Sequence, residues 1–143
     1  MRKFILAIAF WVAAALPVWA EGKAIETTIR AQITALQADD FDRAFTYASP
    51  TIQQIFRAPE VFGRMVRQGY PMVYRPSAIE FLELASVEGY YWQKVQIRDG
   101  QGRYHLMAYQ MVQLDGVWRI NGVQLLPSRE TGVRAPYATA SPS

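Results

Sequence analysis

Cysteine is absent from all 143 residues, which excludes disulfides, thiol catalysis, a thiolate metal site and lipid attachment to an N-terminal cysteine. Histidine occurs once, at His105, so a multi-histidine metal centre cannot be built and neither metal nor cofactor is expected. Neither a Gly-x-Ser-x-Gly nucleophile elbow nor a phosphate-cradling glycine loop occurs. Net charge is also scarce. Setting aside Arg2 and Lys3, which sit ahead of an apolar N-terminal run, takes the basic count from 15 to 13 against 12 acidic side chains, a net of +1. The remaining Lys and Arg are dispersed, which argues against nucleic-acid binding.

What is present begins with a leader. Arg2-Lys3 form a short positive segment, Phe4 to Leu16 is uninterrupted by charge, Pro17 breaks the run, and Val18-Trp19-Ala20 offers small residues to a signal peptidase. The apolar stretch is shorter than the roughly 17–25 residues a membrane span needs. The pattern predicts a signal peptide over residues 1–20, cleavage after Ala20, and a periplasmic or secreted product with no membrane attachment. A retained anchor is the alternative. No twin-arginine pair occurs, so the general secretory route is expected. Residues 21–127 then form a single domain, and 128–143, rich in Ala, Ser, Thr and Pro, form a flexible tail.

Within the domain, Ile25, Ile29, Ile33 and Leu36 recur at helical spacing. Asp39 or Asp40 can cap a second helix buried through Phe41, Ala44, Phe45 and Ala48. Ser49-Pro50 and Ala58-Pro59 each place proline at a first helical position. They open a short helix through Ile52, Ile55 and Phe56, then one turning Val61, Phe62, Met65 and Val66 inward and stopping at Gly69. Two prolines predict an extended segment from Gly69 to Pro76. Ile79 to Val87 switches parity between Phe81 and Leu82, as a bulged strand or a short helix would. Three strands follow, Tyr90–Arg98, Arg103–Leu114 and Val117–Leu126, joined by turns at Asp99–Gly102 and Asp115-Gly116. The expected fold is α+β, with helices on one face of a curved antiparallel sheet.

The order of elements, closing on Asp115-Gly116-Val117-Trp118-Arg119-Ile120, resembles the nuclear transport factor two-like superfamily of cone-shaped α+β domains. Ala38-Asp39-Asp40, Ala44-Phe45, Ala48-Ser49-Pro50 and Gly69-Tyr70-Pro71 through Tyr74-Arg75-Pro76 resemble more closely a family of secreted bacterial domains of unknown function. The likeness spans roughly Ala24 to Pro127 and carries no assigned activity. It implies a cone, and often pairing through the outer sheet face, in a superfamily that holds isomerases, dehydratases, epoxide hydrolases and pure binding domains.

A four-residue loop at Asp99–Gly102 sets Val95 opposite Leu106, and a two-residue turn at Asp115-Gly116 sets Leu114 opposite Val117. That register turns Val95, Ile97, Leu106 and Val123 toward the helices and gathers Gln93, Gln110, Arg119, Asn121 and Tyr91 among them. This polar cluster is the candidate site for a small polar or anionic ligand, with Tyr74 and Arg75 on its rim and Arg75 able to hold a carboxylate or phosphate. A wet sheet end, or internal pairing, is the plainer account of the same residues. The opposite face would carry Trp92, Met107, Tyr109, Met111, Trp118 and Ile120, a surface suited to a homodimer; the alternatives are that the C-terminal tail covers it or that the two faces are reversed. His105 falls on that outer face, as a surface or structural residue. Asp39-Asp40-Phe41-Asp42, the densest acidic cluster, reads as helix capping.

Two functions fit. One is a non-catalytic exported binding or interaction module. The other is a small-molecule enzyme of isomerase or dehydratase type, needing a carboxylate such as Asp42, Glu80 or Glu83 inside a pocket. N-terminal sequencing of the exported protein is expected to begin at Glu21; a chain that retains Met1 would mean an uncleaved anchor.

Overall fold

Ile25, Ile29, Ile33 and Leu36 are fully buried in the computed structural model, which describes residues 18–127. They form the inner stripe of helix α1 (Val18–Gln37), and each is worth about 1.5–3 kcal/mol of burial. The leader core Phe4–Leu16 and the tail from residue 128 lie outside the described residues. No described helix is long and apolar enough to cross a membrane.

Asp40 caps α2 (Phe41–Thr46), its carboxylate accepting from the Arg43 amide at 3.2 Å. Ser49 caps α3 (Pro50–Phe56), and Pro59 opens α4 (Pro59–Gly69), as the Ser-Pro and Ala-Pro pairs predict. Gly63 faces the Phe41 ring so closely that a Cβ there would overlap it, which lets α2 and α4 pack. One inward assignment is corrected: Val61 is exposed, because the inner stripe of α4 runs through Phe62, Met65 and Val66, while on α3 Ile52 and Phe56 are partly buried and Ile55 is exposed. Tyr70 to Pro76 is not wholly extended either. Each proline holds only the residue before it out of the helical region, and Pro71 starts one turn, α5 (Pro71–Tyr74).

The second half is a four-stranded antiparallel sheet in sequence order: β1 (Ala78–Val87), β2 (Tyr90–Arg98), β3 (Tyr104–Leu114) and β4 (Val117–Leu126). The ambiguous segment is the bulged strand β1, its register shifting between Phe81 and Leu84. Asp115-Gly116 forms the expected two-residue turn, both residues at positive φ (50° and 76°), with Leu114 paired to Val117.

The β2–β3 turn differs from expectation by one residue. Arg98 pairs with Tyr104, so five residues intervene rather than four, and Val95 faces Met107 instead of Leu106. Because side chains alternate along a strand, this slip turns β3 over. Met107, Tyr109 and Met111 are completely buried beneath the helices, and Trp118 and Ile120 join them. Of the six residues expected on an outward contact face, only Trp92 lies there. It is half-buried, in register with Ala85 and Gln110.

Asp99 builds that turn. Its amide donates to the Arg103 carbonyl at 2.9 Å, and its carboxylate accepts from the amides of Gln101 and Arg103 at 2.9 and 3.0 Å. Gly102, at φ 83°, supplies the left-handed residue that completes it. His105 pairs with Ile97 instead of facing outward, and its Nε2 lies 2.9 Å from Asp99 Oδ2. Since an ionised carboxylate only accepts, that nitrogen carries the proton.

The His105 hydrogen bond, ahead of the backbone amides and Arg103, holds the Asp99 carboxyl well below its ordinary value of 3.8. A carboxyl that binds its proton more weakly folded than unfolded adds stability above pH 3.8, and that contribution is lost as pH falls through and below this value. Chemical denaturation across the acid range is therefore expected to show Asp99→Asn less stable than wild type near neutrality, with the gap closing as pH drops. A gap independent of pH would contradict this.

Candidate functional site

The site is a cavity of about 230 Å³ between the helices and the sheet. α1 contributes Gln32 and Leu36, α3 and α4 contribute Phe56, Phe62, Met65 and Val66, and the floor is Tyr109, Ile120, Gly122 and Val123. A β-bulge makes that floor. Met111 pairs with Ile120 but Gln110 pairs with Gly122, so Asn121 is an extra residue in β4. Beyond it the alternation changes parity, and Val123, opposite Tyr109, lines the cavity beside Ile120.

Asn121 is held where the bulge places it. It accepts from Ser49 Oγ at 2.7 Å and donates to Gln110 Oε1 at 2.9 Å. The chain at Tyr47–Ser49 runs beside it. Ile120 N–H donates to the Tyr47 carbonyl at 2.9 Å, and Ser49 N–H donates to the Ile120 carbonyl at 2.8 Å. Arg119 donates to the Thr46 carbonyl at the end of α2.

The polar residues expected to form a ligand cluster are thus largely distributed among structural tasks, and none of the seven lines the cavity. Gln110 and Asn121 do meet, but they bond to each other. Gln93 is buried and donates to the Leu82 and Lys94 carbonyls at 3.0 and 2.9 Å, bridging to the bulge of β1. Tyr91 donates to Glu21 at 3.1 Å, which raises its own pKa, and its ring meets Trp118 edge-on at 5.1 Å. Tyr74 donates to Asp39 and lowers that carboxyl's pKa, with Arg75 adding to the effect. Arg75 stacks 3.8 Å over the Tyr74 ring and donates to the Leu36 carbonyl at 3.2 Å, closing the end of α1.

The carboxylates weighed for catalysis also lie elsewhere. Asp42, Glu80 and Glu83 are exposed, and Glu83 pairs with Lys94. No charged side chain and no imidazole lines the cavity among the described residues. Among these residues there is likewise no cluster of three metal-ligating side chains.

Three residues lining the cavity, Gln32, Tyr70 and Tyr109, carry polar side-chain groups. Gln32 sits on the buried side of α1 and its Nε2 donates to the Ala44 carbonyl at 3.2 Å. Its position one turn beyond Ile29 and two beyond Ile25, inside an otherwise apolar stripe, is the signal available in sequence. Tyr109 is fully buried, lines the cavity, and its hydroxyl has no hydrogen-bond partner among the described residues. Burial, reinforced by nearby Tyr70, pushes the Tyr109 phenol far above the usual tyrosine range, so it stays protonated and able to donate.

An unpartnered buried hydroxyl costs about 1–3 kcal/mol. Replacing Tyr109 by Phe is therefore expected to leave the ligand-free fold unchanged or to stabilise it by about 1 kcal/mol, read from denaturation midpoints. A marked loss of stability would show that the hydroxyl supports the fold.

No curated protein matches the chain. A family model does match, over residues 19–133, and it describes a domain of unknown function, DUF4864. That match takes in the helices, the sheet and the cavity between them, and the chain belongs to this family.

Proposed function

We propose that this chain is an exported, non-catalytic module that binds a small molecule in the cavity between its helices and its sheet. The observation that carries this reading is the hydroxyl of Tyr109, a residue lining the cavity, buried without a partner among the described residues. Buried polar groups are normally satisfied within the protein, and an unsatisfied one on a residue that lines a concave, largely apolar pocket is a ready point of attachment. The lining supports binding over catalysis, because among the described residues it offers neither carboxylate nor imidazole to move a proton.

Export rests on the leader pattern of residues 1–20. The helices-then-meander order agrees with the nuclear transport factor two-like cone, which we propose as the superfamily. In such a cone the space between helices and sheet is the natural place for a ligand.

Native mass spectrometry of the protein recovered undenatured from its own host is expected to show a bound small molecule that denaturation releases. Val123→Phe, which fills the half-buried floor of the cavity, should retain the fold by circular dichroism and carry no such mass. A ligand-free wild-type protein, or equal loading of the filled variant, would contradict the reading.

A further inference from the structure

Size, charge and polarity of the cavity together restrict what it can hold. An apolar cavity of about 150 Å³ accommodates benzene. The present one, at about 230 Å³, has room for a single ring bearing a short substituent. Burying an ion without a partner is costly, and no described side chain lining this cavity carries a charge. An anionic ligand, the class expected from Arg75 and Arg119, would therefore find no counter-charge here. Both arginines are occupied elsewhere, on Leu36 and Thr46 carbonyls.

The polar groups are few and unequal. Gln32 spends an amide N–H on the Ala44 carbonyl. Tyr70 brings a second phenol to the lining, and the Tyr109 hydroxyl has no partner among the described residues and holds its proton. It rises from the sheet between the bulged segment of β4 and the helices, with Phe56, Met65 and Val66 supplying apolar surface across the cavity. A ligand seated there meets the Tyr109 donor at the sheet, and on the helix side hydrocarbon together with the Gln32 amide and the Tyr70 phenol.

We infer that the cavity takes a neutral, ring-sized molecule that presents a hydrogen-bond acceptor, such as a carbonyl oxygen, to the Tyr109 hydroxyl. This inference rests on reading the cavity as a binding site, and the experiment separates the two claims. Acetophenone, ethylbenzene and benzoate have similar dimensions and differ in the feature at issue. Each is titrated into the exported chain and into Tyr109→Phe, following methyl resonances of Met65, Val66, Val73 and Val123. A ketone leaves water less readily than a hydrocarbon, so the readout is the change caused by the substitution, not the raw ranking.

Acetophenone is expected to lose roughly tenfold in affinity on Tyr109→Phe, the size of one buried hydrogen bond. Ethylbenzene should bind both proteins alike, and benzoate should bind neither. Acetophenone binding that is indifferent to the substitution overturns the acceptor requirement, and benzoate as the tightest probe overturns neutrality. If no probe moves the cavity methyl groups, the cavity is not a binding site and both claims fall. If Tyr109→Phe does not fold, Val123→Phe serves instead: it must abolish acetophenone and ethylbenzene binding together, and retained binding overturns the assignment.

Discussion

Which side of β3 meets the helices depends on the turn at Asp99. A strand buries alternate residues, so the number of residues in the preceding turn decides between two complete sets of side chains. With five residues between Arg98 and Tyr104, the set containing Met107, Tyr109 and Met111 goes inward. The Asp99 carboxylate makes that turn by accepting from two backbone amides and from Arg103 and His105. The only histidine in the chain thus has a structural partner, which accounts for its place without invoking catalysis.

A second parity change shapes the site. Without Asn121 as an extra residue, β4 would turn Val123 to the outer face, and the cavity floor would lose it. Bulges cost ladder hydrogen bonds, and here the side chains of Ser49, Asn121 and Gln110 form a chain across the irregularity. The Tyr47–Ser49 segment supplies further bonds to Ile120. The cap of α3 and the bulge of β4 therefore share one residue, Ser49, which fixes the helices to the sheet beside the cavity.

Much of the architecture was legible because it follows from local rules. The isoleucine stripe of α1, the Ser49 cap, the prolines opening α3 and α4, and the Asp115-Gly116 hairpin are short-range signals, and each occurs as expected. The face of the sheet was not legible, since Met107, Tyr109 and Met111 alternate with Leu106, Ala108 and Val112 and both sets are apolar. Only the turn length separates them, and the Asp99-Gly100-Gln101-Gly102 sequence admits more than one. The misassigned face carried the site with it. Gln93, Arg119 and Asn121 looked like a ligand cluster because polar residues inside a sheet need partners, and they have them in backbone and neighbouring side chains. Tyr109 was hidden for the converse reason, as it read as part of an outward aromatic surface.

On the proposed reading, the Tyr109 hydroxyl, unpartnered among the described residues, is kept so for a ligand. A crystal structure of the protein recovered undenatured from its host tests it most directly. The account predicts density in the cavity with an acceptor atom about 2.7 Å from the Tyr109 oxygen. A closed, filled core in which that oxygen bonds to another group of the protein would contradict it.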